Sequence, residues 1–324
     1  MKAIVHHDYG SPDVLKCVES EKPVPGDNEA LIRVRAASVN PLDWHFMRGM
    51  PYFVRLPAGL FKPKDRRLGV DVAGQVEAVG RNVSQFKPGD EVFGGCRGAF
   101  AEYACASESS LAVKPDNVTF EKAACIGVAA LTALQGLRDK GELQSGQKVL
   151  INGASGGVGT FAVQIAKAFG ADVTGVCSTK NLDLVRSIGA DRIIDYTRQD
   201  FTKSGQHYDL IFDCMGNHSL SACRRVLNPK GRYIVIGGPG GRWMIGTLAR
   251  AMLASVLSRF ISQKLFMIMA RQSKEDLIVL SELTTNGKVK PVIDKCYSLL
   301  EVPDAIRYLE AGHARGKVVI TLGV

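Results

Sequence analysis

The stretch LINGASGGVG, residues 150–159, constrains the fold of this chain more than any other part of its sequence. It follows an apolar segment of strand length at 148–151 and precedes a segment predicted as a helix over 157–169. Glycines in such a turn let a ligand approach the main-chain N–H groups, and the positive end of the helix dipole favours an anion. The sequence therefore predicts a pyrophosphate-binding turn with contacts from Ser155, Gly156, Gly157 and Val158.

The residues after the second strand of this region indicate which dinucleotide the turn would hold. An acidic residue about 20 residues beyond the glycines would bond a ribose 2′-hydroxyl and repel a 2′-phosphate. Here the sequence reads CSTK at 177–180, with hydroxyls and a cation but no carboxylate. We therefore predict NADPH rather than NADH, with Ser178 and Lys180 at the 2′-phosphate and Tyr196 at the adenine or the same phosphate. The first glycine of the usual G-x-G-x-x-G pattern is Ala154 in this chain.

The second half of the chain alternates apolar bursts with helical segments, which predicts a doubly wound parallel sheet in an α/β fold. Small residues end the fourth and fifth of these strands, so Gly216 and Gly238 are predicted to lie beside the nicotinamide. The first 120 or so residues instead alternate apolar and polar positions between turns, which is typical of antiparallel, barrel-like strands. From about residue 272 the pattern predicts two helices and a closing strand, GKVVITL.

Composition narrows the class of protein. A chain of 324 residues with 46% hydrophobic residues predicts two globular domains. The net charge of +9 is scattered, with no block of five basic residues, so we expect anionic small ligands and no nucleic acid. Eight cysteines without a C-x-x-C pair predict buried, reduced thiols. The start of the sequence lacks the apolar segment of a signal peptide, so we expect a cytosolic protein.

Several ordered motifs occur at 38–44 (SVNPLDW), 69–80 (GVDVAGQVEAVG), 86–94 (FKPGDEVFG), 98–103 (GAFAEY), 129–137 (AALTALQGL), 153–171 and 316–322. With them the chain resembles the medium-chain dehydrogenase/reductase superfamily, and within it the zinc-free quinone oxidoreductase and alkenal reductase branch. The resemblance implies a GroES-like β-barrel catalytic domain over 1–122 and 272–324, and a Rossmann NADPH-binding domain over 123–271. It further implies an active site in the cleft and a homodimer.

Zinc-dependent members of that superfamily carry residues that this chain lacks. They have a cysteine near the NPLD position and Gly-His-Glu where this sequence has Gly69, Val70 and Asp71; the third ligand position holds Val128. The cysteine-rich structural lobe is also absent, with only Cys96 and Cys105 nearby. Since zinc needs about four nitrogen, sulfur or oxygen donors, we predict no metal.

The resemblance and the missing metal together predict the reaction. Oxidising an alcohol through an alkoxide is harder without a Lewis acid, whereas a conjugated acceptor delocalises the charge that hydride addition creates. We therefore expect hydride transfer from NADPH to a quinone or an α,β-unsaturated carbonyl.

In the related branch the NPxD segment faces the nicotinamide, so Asn40 and Asp43 are the first candidates for catalytic residues. Tyr52 is the nearest candidate hydroxyl donor, and Thr132 resembles the threonine that lies beside the cofactor. Alternative roles stay open: Asn40 before Pro41 is a turn former, Asp43 a helix cap, and Tyr52 a residue without substrate contact. Lys317 and Arg271 are candidate cleft cations, although exposed cations usually have no such role, and His313 is expected on the surface.

Other classes of function compete with this interpretation. A short-chain dehydrogenase is excluded because no tyrosine is followed by lysine four positions later. A non-catalytic NADPH-binding redox sensor or RNA-associated protein remains the alternative. The apolar segment 242–264 is expected to form a helix at the cleft or dimer interface rather than on a membrane. The segment KLFMIMA at 264–270 is expected to form a strand that pairs with the same strand of a second copy across a two-fold axis.

Overall fold

The computed structural model describes residues 1–236 and 262–323, and the chain divides into two compact units. The first unit comprises residues 1–131, 272–287 and 291–324, and the second comprises residues 132–271 and 288–290. The stretch 123–131, which the sequence pattern assigns to the dinucleotide-binding domain, belongs by its contacts to the first unit.

Strands and helices of the described residues are numbered along the chain. The strands are β1 (Lys2–His6), β2 (Leu15–Glu19), β3 (Glu29–Val39), β4 (Asp71–Val79), β5 (Glu91–Gly95), β6 (Tyr103–Ser107), β7 (Leu111–Val113), β8 (Lys148–Asn152), β9 (Asp172–Cys177), β10 (Arg192–Asp195), β11 (Tyr208–Asp213), β12 (Leu227–Val235), β13 (Lys264–Met267), β14 (Ile293–Ser298) and β15 (Lys317–Thr321). The helices are α1 (Pro41–Arg48), α2 (Arg55–Ala58), α3 (Phe120–Ala124), α4 (Gly127–Gln135), α5 (Gly157–Ala168), α6 (Leu182–Ser187), α7 (Leu220–Arg225), α8 (Lys274–Thr285) and α9 (Val302–Glu310).

Strand β3 organises the first unit, because it pairs antiparallel with β4, β6 and β15. The order along the sheet is β14-β15-β3-β4-β5-β7, and only the β14–β15 pair is parallel among the described strands of this sheet. The alternating segments therefore form antiparallel strands, as predicted, over a core that includes Ile32, Val72 and Phe100. Since the closing strand β15 lies against β3, Val318 is opposite Val39, where α1 is about to begin.

The second unit contains a six-stranded sheet in the order β10-β9-β8-β11-β12-β13, and every neighbouring pair is parallel. The chain proceeds from β8 outward through β9 and β10, then returns and continues through β11 on the other side. The order thus reverses between β8 and β11, and open α/β sheets bind ligands at the carboxyl ends of strands at such a point. The predicted doubly wound fold is confirmed.

Two predictions fall wholly or partly outside the described residues. Gly238 and nearly all of the predicted 242–264 helix are not among them. The first part of KLFMIMA forms β13, which pairs parallel with β12 at the end of the sheet. Its pairing with a second copy stays a prediction.

Two glycines set the shape of the turn between β8 and α5. Gly153 has a φ of +84°, a conformation that costs other L-residues free energy. A Cβ atom on Gly159 would stand 2.0 Å from the carbonyl oxygen of Gly153, well inside van der Waals contact. Gly156 has a φ of −83°, and a Cβ there would meet that oxygen at an ordinary 3.5 Å. The turn therefore requires glycine at Gly153 and Gly159, whereas the conformation and surroundings of Gly156 do not.

Replacing Gly159 by alanine is expected to destabilise the second unit, because the new methyl group must push the Gly153 carbonyl away. Overpacking of this kind costs about 1–3 kcal/mol of unfolding free energy, measurable by urea denaturation followed by circular dichroism. Gly156→Ala is the matched control in the same turn and should lose clearly less, because its Cβ atom has room and only the N-cap preference is affected. Equal losses for the two variants would contradict the assignment.

Candidate functional site

The start of α5 provides main-chain donors for an anion. The first N–H groups of a helix have no partner within it, and here they belong to Gly157, Val158 and Gly159. Gly156 at the N-cap position has no side chain that could occupy them. The turn itself is fixed to β9, since the N–H groups of Gly153 and Ala154 both donate to the carbonyl of Val176, at 3.1 and 3.0 Å. The partly buried segment 155–158 therefore fits a dinucleotide pyrophosphate.

The residues predicted at the adenosine phosphate lie together at the ends of two neighbouring strands. Ser178 directly follows β9 and is partly buried, Lys180 is exposed, and Tyr196 follows β10 with 60% of its surface exposed. Strands β9 and β10 pair so that Asp195 lies opposite Cys177, and the N–H of Tyr196 donates to the carbonyl of Cys177 at 3.0 Å. The structure thus brings these three residues to one edge of the sheet.

A carboxylate that sequence reasoning missed lies at the same edge. Asp195 accepts hydrogen bonds from the hydroxyls of Thr179, at 2.5 Å, and Thr197, at 2.8 Å. These bonds, Thr179 foremost, hold the pKa of Asp195 below its ordinary value. Thr179 is therefore engaged with Asp195, which leaves Ser178 and Lys180 as the phosphate candidates of this segment.

Asp213 fixes the carboxyl ends of the strands at the switch point. Its side chain is fully buried. One oxygen accepts the N–H groups of Met215 and Gly216, at 3.0 and 2.8 Å, and Asn152 Nδ2 at 2.8 Å. The other oxygen accepts the hydroxyl of Tyr233 at 2.6 Å. Gly216, with a φ of +61°, is therefore held in place at the predicted nicotinamide end. Sequence analysis missed Asp213 and Asn152. The signal was a polar residue at the end of each buried strand, in LIN at 150–152 and FDC at 212–214.

Two further candidates of the second unit have different surroundings. Thr132 is buried in α4 with 6% of its surface exposed, and its contact with the cofactor stays a prediction. Arg271 is exposed, and its main chain is held by Gln135, whose amide both donates to the carbonyl and accepts the N–H at 2.9 Å.

In the first unit, the residues Ser38, Asn40, Asp71 and Lys317 form a buried polar cluster. One carboxylate oxygen of Asp71 accepts Ser38 Oγ and Asn40 Nδ2, both at 2.8 Å, and the other accepts the N–H of Val128. The ammonium of Lys317, only 3% exposed, donates to Asn40 Oδ1 at 2.6 Å and lies 3.6 Å from Asp71. Lys317, which the sequence alone could not distinguish from an exposed lysine, is therefore buried and paired.

Asn40 and Asp43 are both engaged inside the first unit. The amide hydrogens of Asn40 go to Asp71 and, at 3.1 Å, to the carbonyl of Ser38. The oxygens of Asp43 accept the N–H groups of Asn40 and Gly69, at 2.8 and 3.1 Å, and burial raises the pKa of Asp43 to about 7. These contacts are those of a helix cap and a turn, the alternatives left open above. Their place beside the nicotinamide stays a prediction, with positioning rather than proton transfer as the role that the contacts support.

Tyr52 lies in a short 3₁₀ turn after α1 and is partly buried. The guanidinium of Arg55 is 4.9 Å from the centre of the Tyr52 ring and 4.5 Å from that of Tyr9, and its Nε donates to the carbonyl of Gly49. Arg55 therefore anchors the tyrosine-bearing loop by cation–π contacts. Exposed apolar side chains follow in the same loop, namely Phe53, Leu56, Leu60 and Phe61.

The described residues contain no group of three or more His, Cys, Asp or Glu side chains placed to hold a metal ion. Burial raises the pKa of the Cys125 thiol to about 12, which disfavours the thiolate that zinc requires.

None of the eight cysteines, all of them in described positions, forms a disulfide. Cys17 and Cys296 are exposed, so the prediction that the thiols are buried is wrong for these two. His313 is exposed, and no helix in the described ranges has the length and apolarity to cross a bilayer.

Two family descriptions match the chain. Residues 26–116 match the alcohol dehydrogenase GroES-like domain, and residues 188–320 match the zinc-binding dehydrogenase domain. The second description names a metal, but the ligand positions considered above hold Val70 and Val128 in this chain.

Relatives and solved structures extend the similarity over the full length. The quinone-oxidoreductase QR1, chloroplastic, of Triphysaria versicolor is 36% identical over 99% of this chain and 98% of its own. The NADPH-dependent alkenal/one oxidoreductase, chloroplastic, of Arabidopsis thaliana is 35% identical over 99% of this chain and 79% of its own. The structure of the quinone oxidoreductase from Coxiella burnetii superposes with a TM-score of 0.88 at 29% identity, covering 100% of this chain and 99% of the other.

Replacing Lys317 by methionine is expected to destabilise the first unit strongly. The change keeps the length of the side chain but leaves the Asp71 carboxylate and Asn40 Oδ1 without their cation, and breaking a buried pair in this way costs about 3–5 kcal/mol. Urea denaturation measures the loss, with Lys16→Met at an exposed position of β2 as the control. If both variants lose the same small amount, the polar cluster does not depend on the ammonium.

Proposed function

Because the chain belongs to the medium-chain dehydrogenase/reductase superfamily, and is an oxidoreductase of that superfamily, we propose that it uses NADPH to reduce quinones or α,β-unsaturated carbonyls without a metal. The observation that carries the proposal is the full-length similarity to proteins named for these reactions, on a chain whose glycine turn fits a dinucleotide. The alternative, a non-catalytic NADPH-binding sensor, shares the turn and differs in turnover.

The choice of NADPH is supported by the chemistry at the ends of β9 and β10. The Ser178 hydroxyl and the exposed Lys180 ammonium suit a dianionic phosphate. Asp195, a carboxylate at this edge, is bonded to Thr179 and Thr197. The segment therefore offers a phosphate-binding hydroxyl and cation in place of an acid that would select a ribose hydroxyl.

In the proposed reaction bound NADPH would supply the hydride, and the residues of the chain would position the reactants. The N–H groups at the start of α5 would hold the pyrophosphate, and Asp213 keeps Gly216 and the end of β11 in place. In the first unit, Lys317 and Asp71 hold Asn40, and Asp43 caps α1 next to it. These contacts fix the backbone of the NPLD segment. Preorganisation of this kind lowers the entropic cost of reaching the transition state.

The acceptor's developing charge determines which substrates are accessible. Val70 and Val128 carry no donor atom for a metal, so the oxygen of the acceptor has to be stabilised by delocalisation and hydrogen bonds. A quinone or an enone meets the first requirement, since its charge spreads onto a conjugated oxygen. We propose Tyr52, held by Arg55, as the hydroxyl that donates to this oxygen.

We further propose a cytosolic homodimer that acts on small molecules and has no nucleic-acid partner. Strand β13 has one neighbour among the described strands of its sheet, so its other edge is suited to a second copy. Cysteines without disulfides are typical of a reducing compartment.

Initial rates of NADPH oxidation test the proposal. We expect turnover with ortho-quinones, para-quinones and enals and little with saturated aldehydes, because only the conjugated acceptors delocalise the added charge. Treatment with a chelator should leave the rates unchanged. Tight NADPH binding without turnover on any acceptor would favour the sensor, and activity lost to the chelator and restored by zinc would contradict the metal-free reaction.

Replacing Lys180 by glutamate should weaken NADPH binding by about tenfold or more, since a charged hydrogen bond contributes about 1.5–3 kcal/mol. NADH binding should change little, because NADH lacks the 2′-phosphate. Isothermal titration calorimetry measures both affinities. Lys203→Glu makes the same charge reversal at an exposed lysine of the same unit and serves as control. Equal losses for NADPH and NADH would rule out a 2′-phosphate contact at Lys180.

A further inference from the structure

One buried acceptor in the second unit has no partner. Within residues 1–236 and 262–323, Asn181 Oδ1 is the single buried side-chain nitrogen or oxygen atom that makes no hydrogen bond. Buried polar atoms are nearly always paired, because leaving one unpaired costs free energy, and an exception points to a partner that binds from outside. Asn181 follows Lys180 and is only partly buried as a residue. Its amide therefore lies next to the residues predicted to bind the adenosine phosphate rather than in the core.

The side chain of Asn181 also does not cap the helix that begins after it. It stands at the N-cap of α6, where asparagine ordinarily accepts a hydrogen bond from the first turn of the helix. The side chain makes no such capping bond in this described turn. Its Nδ2 instead donates to Ser155 Oγ at 2.9 Å and to Ser178 Oγ at 3.2 Å. The amide therefore links the glycine turn to the end of β9.

These two bonds decide what the serines can do. A hydroxyl that accepts a hydrogen bond still has its own hydrogen to donate. Ser155 lies in the pyrophosphate turn and Ser178 at the predicted 2′-phosphate, and both ligand groups are acceptors. Because Nδ2 occupies one lone pair of each serine, the hydrogens of both hydroxyls are left for phosphate oxygens. The neighbouring hydroxyl of Thr179 does not have this freedom, since it is bonded to Asp195.

We propose that Asn181 is a cofactor-specificity residue, which sets Ser155 and Ser178 as phosphate donors and accepts the adenosine ribose 3′-hydroxyl at Oδ1. The 3′-hydroxyl is the remaining donor on that ribose once the 2′-oxygen carries a phosphate. The inference rests on the proposed use of NADPH and deepens it, because it assigns the recognition of the ribose to a residue outside the glycine turn.

Calorimetric titration of the whole protein with three probes tests this directly, without turnover. The probes are 2′,5′-ADP, its 3′-deoxy analogue, and 5′-AMP. Asn181→Asp removes Nδ2, so both serine hydroxyls turn to donate to the new carboxylate, whose charge also repels the phosphate. We expect its affinity for 2′,5′-ADP to fall at least tenfold, and its affinity for 5′-AMP to fall less.

Asn181→Leu isolates the ribose contact. The wild-type protein should bind 2′,5′-ADP more tightly than the 3′-deoxy analogue, and the leucine variant should bind the two equally. If the leucine variant does not fold, Asn181→Ser removes Oδ1 with a smaller change in polarity and gives the same comparison. Asn117→Asp, a change at an exposed asparagine of the first unit, is the control and should bind all three probes as the wild type does.

The outcomes separate this inference from the proposed function. If the leucine or serine variant keeps the wild-type preference for the 3′-hydroxyl, or if Asn181→Asp keeps the wild-type affinity for 2′,5′-ADP, Asn181 does not have the assigned role while NADPH use stands. If the wild-type protein binds neither 2′,5′-ADP nor NADPH, the cofactor proposal itself fails.

Discussion

The close passage of two backbone segments between β8 and α5 is the constraint on which the second unit depends. Gly159 approaches the carbonyl of Gly153 so closely that no side chain fits between them. That contact sets where α5 begins relative to the sheet, and hence where its unpaired N–H groups point. The glycine turn, the hydrogen bonds from Asn181 to Ser155 and Ser178, and the Asp213 network all lie at the carboxyl ends of the parallel strands.

In both units, buried polar groups hold the segments that are predicted to meet the ligand. In the first unit a lysine from the last strand pairs with Asp71 and Asn40, which are far away in sequence. In the second unit a carboxylate gathers N–H groups from the loop that follows its own strand. A buried charge is expensive unless every neighbour satisfies it. The hydrogen bonds of each network therefore stabilise one conformation of the backbone around it. This includes the segments that are predicted to meet the ligand.

The fold was largely open to prediction, and the roles within the site were only partly so. Periods of apolar residues gave the strands on both sides of Gly153 and their parallel order, because buried strands and crossover helices leave local patterns. The same patterns placed Ser178, Lys180 and Tyr196 at one edge. They did not reveal that Asp195 enters that edge from β10, or that Asp213 holds Gly216, since both depend on which strands become neighbours.

By itself the sequence determined the two kinds of sheet, the glycine turn and the absence of an acid after β9, because glycine chemistry and periodicity act between residues close in the chain. Only the tertiary structure decided which polar atoms are already engaged. Asn40 Oδ1 is taken by a lysine 277 positions away, whereas Asn181 Oδ1 has no partner within the described residues. The two asparagines look alike in sequence. They differ because a hydrogen bond depends on the distance between atoms in space, which the folded chain sets and the order of residues does not.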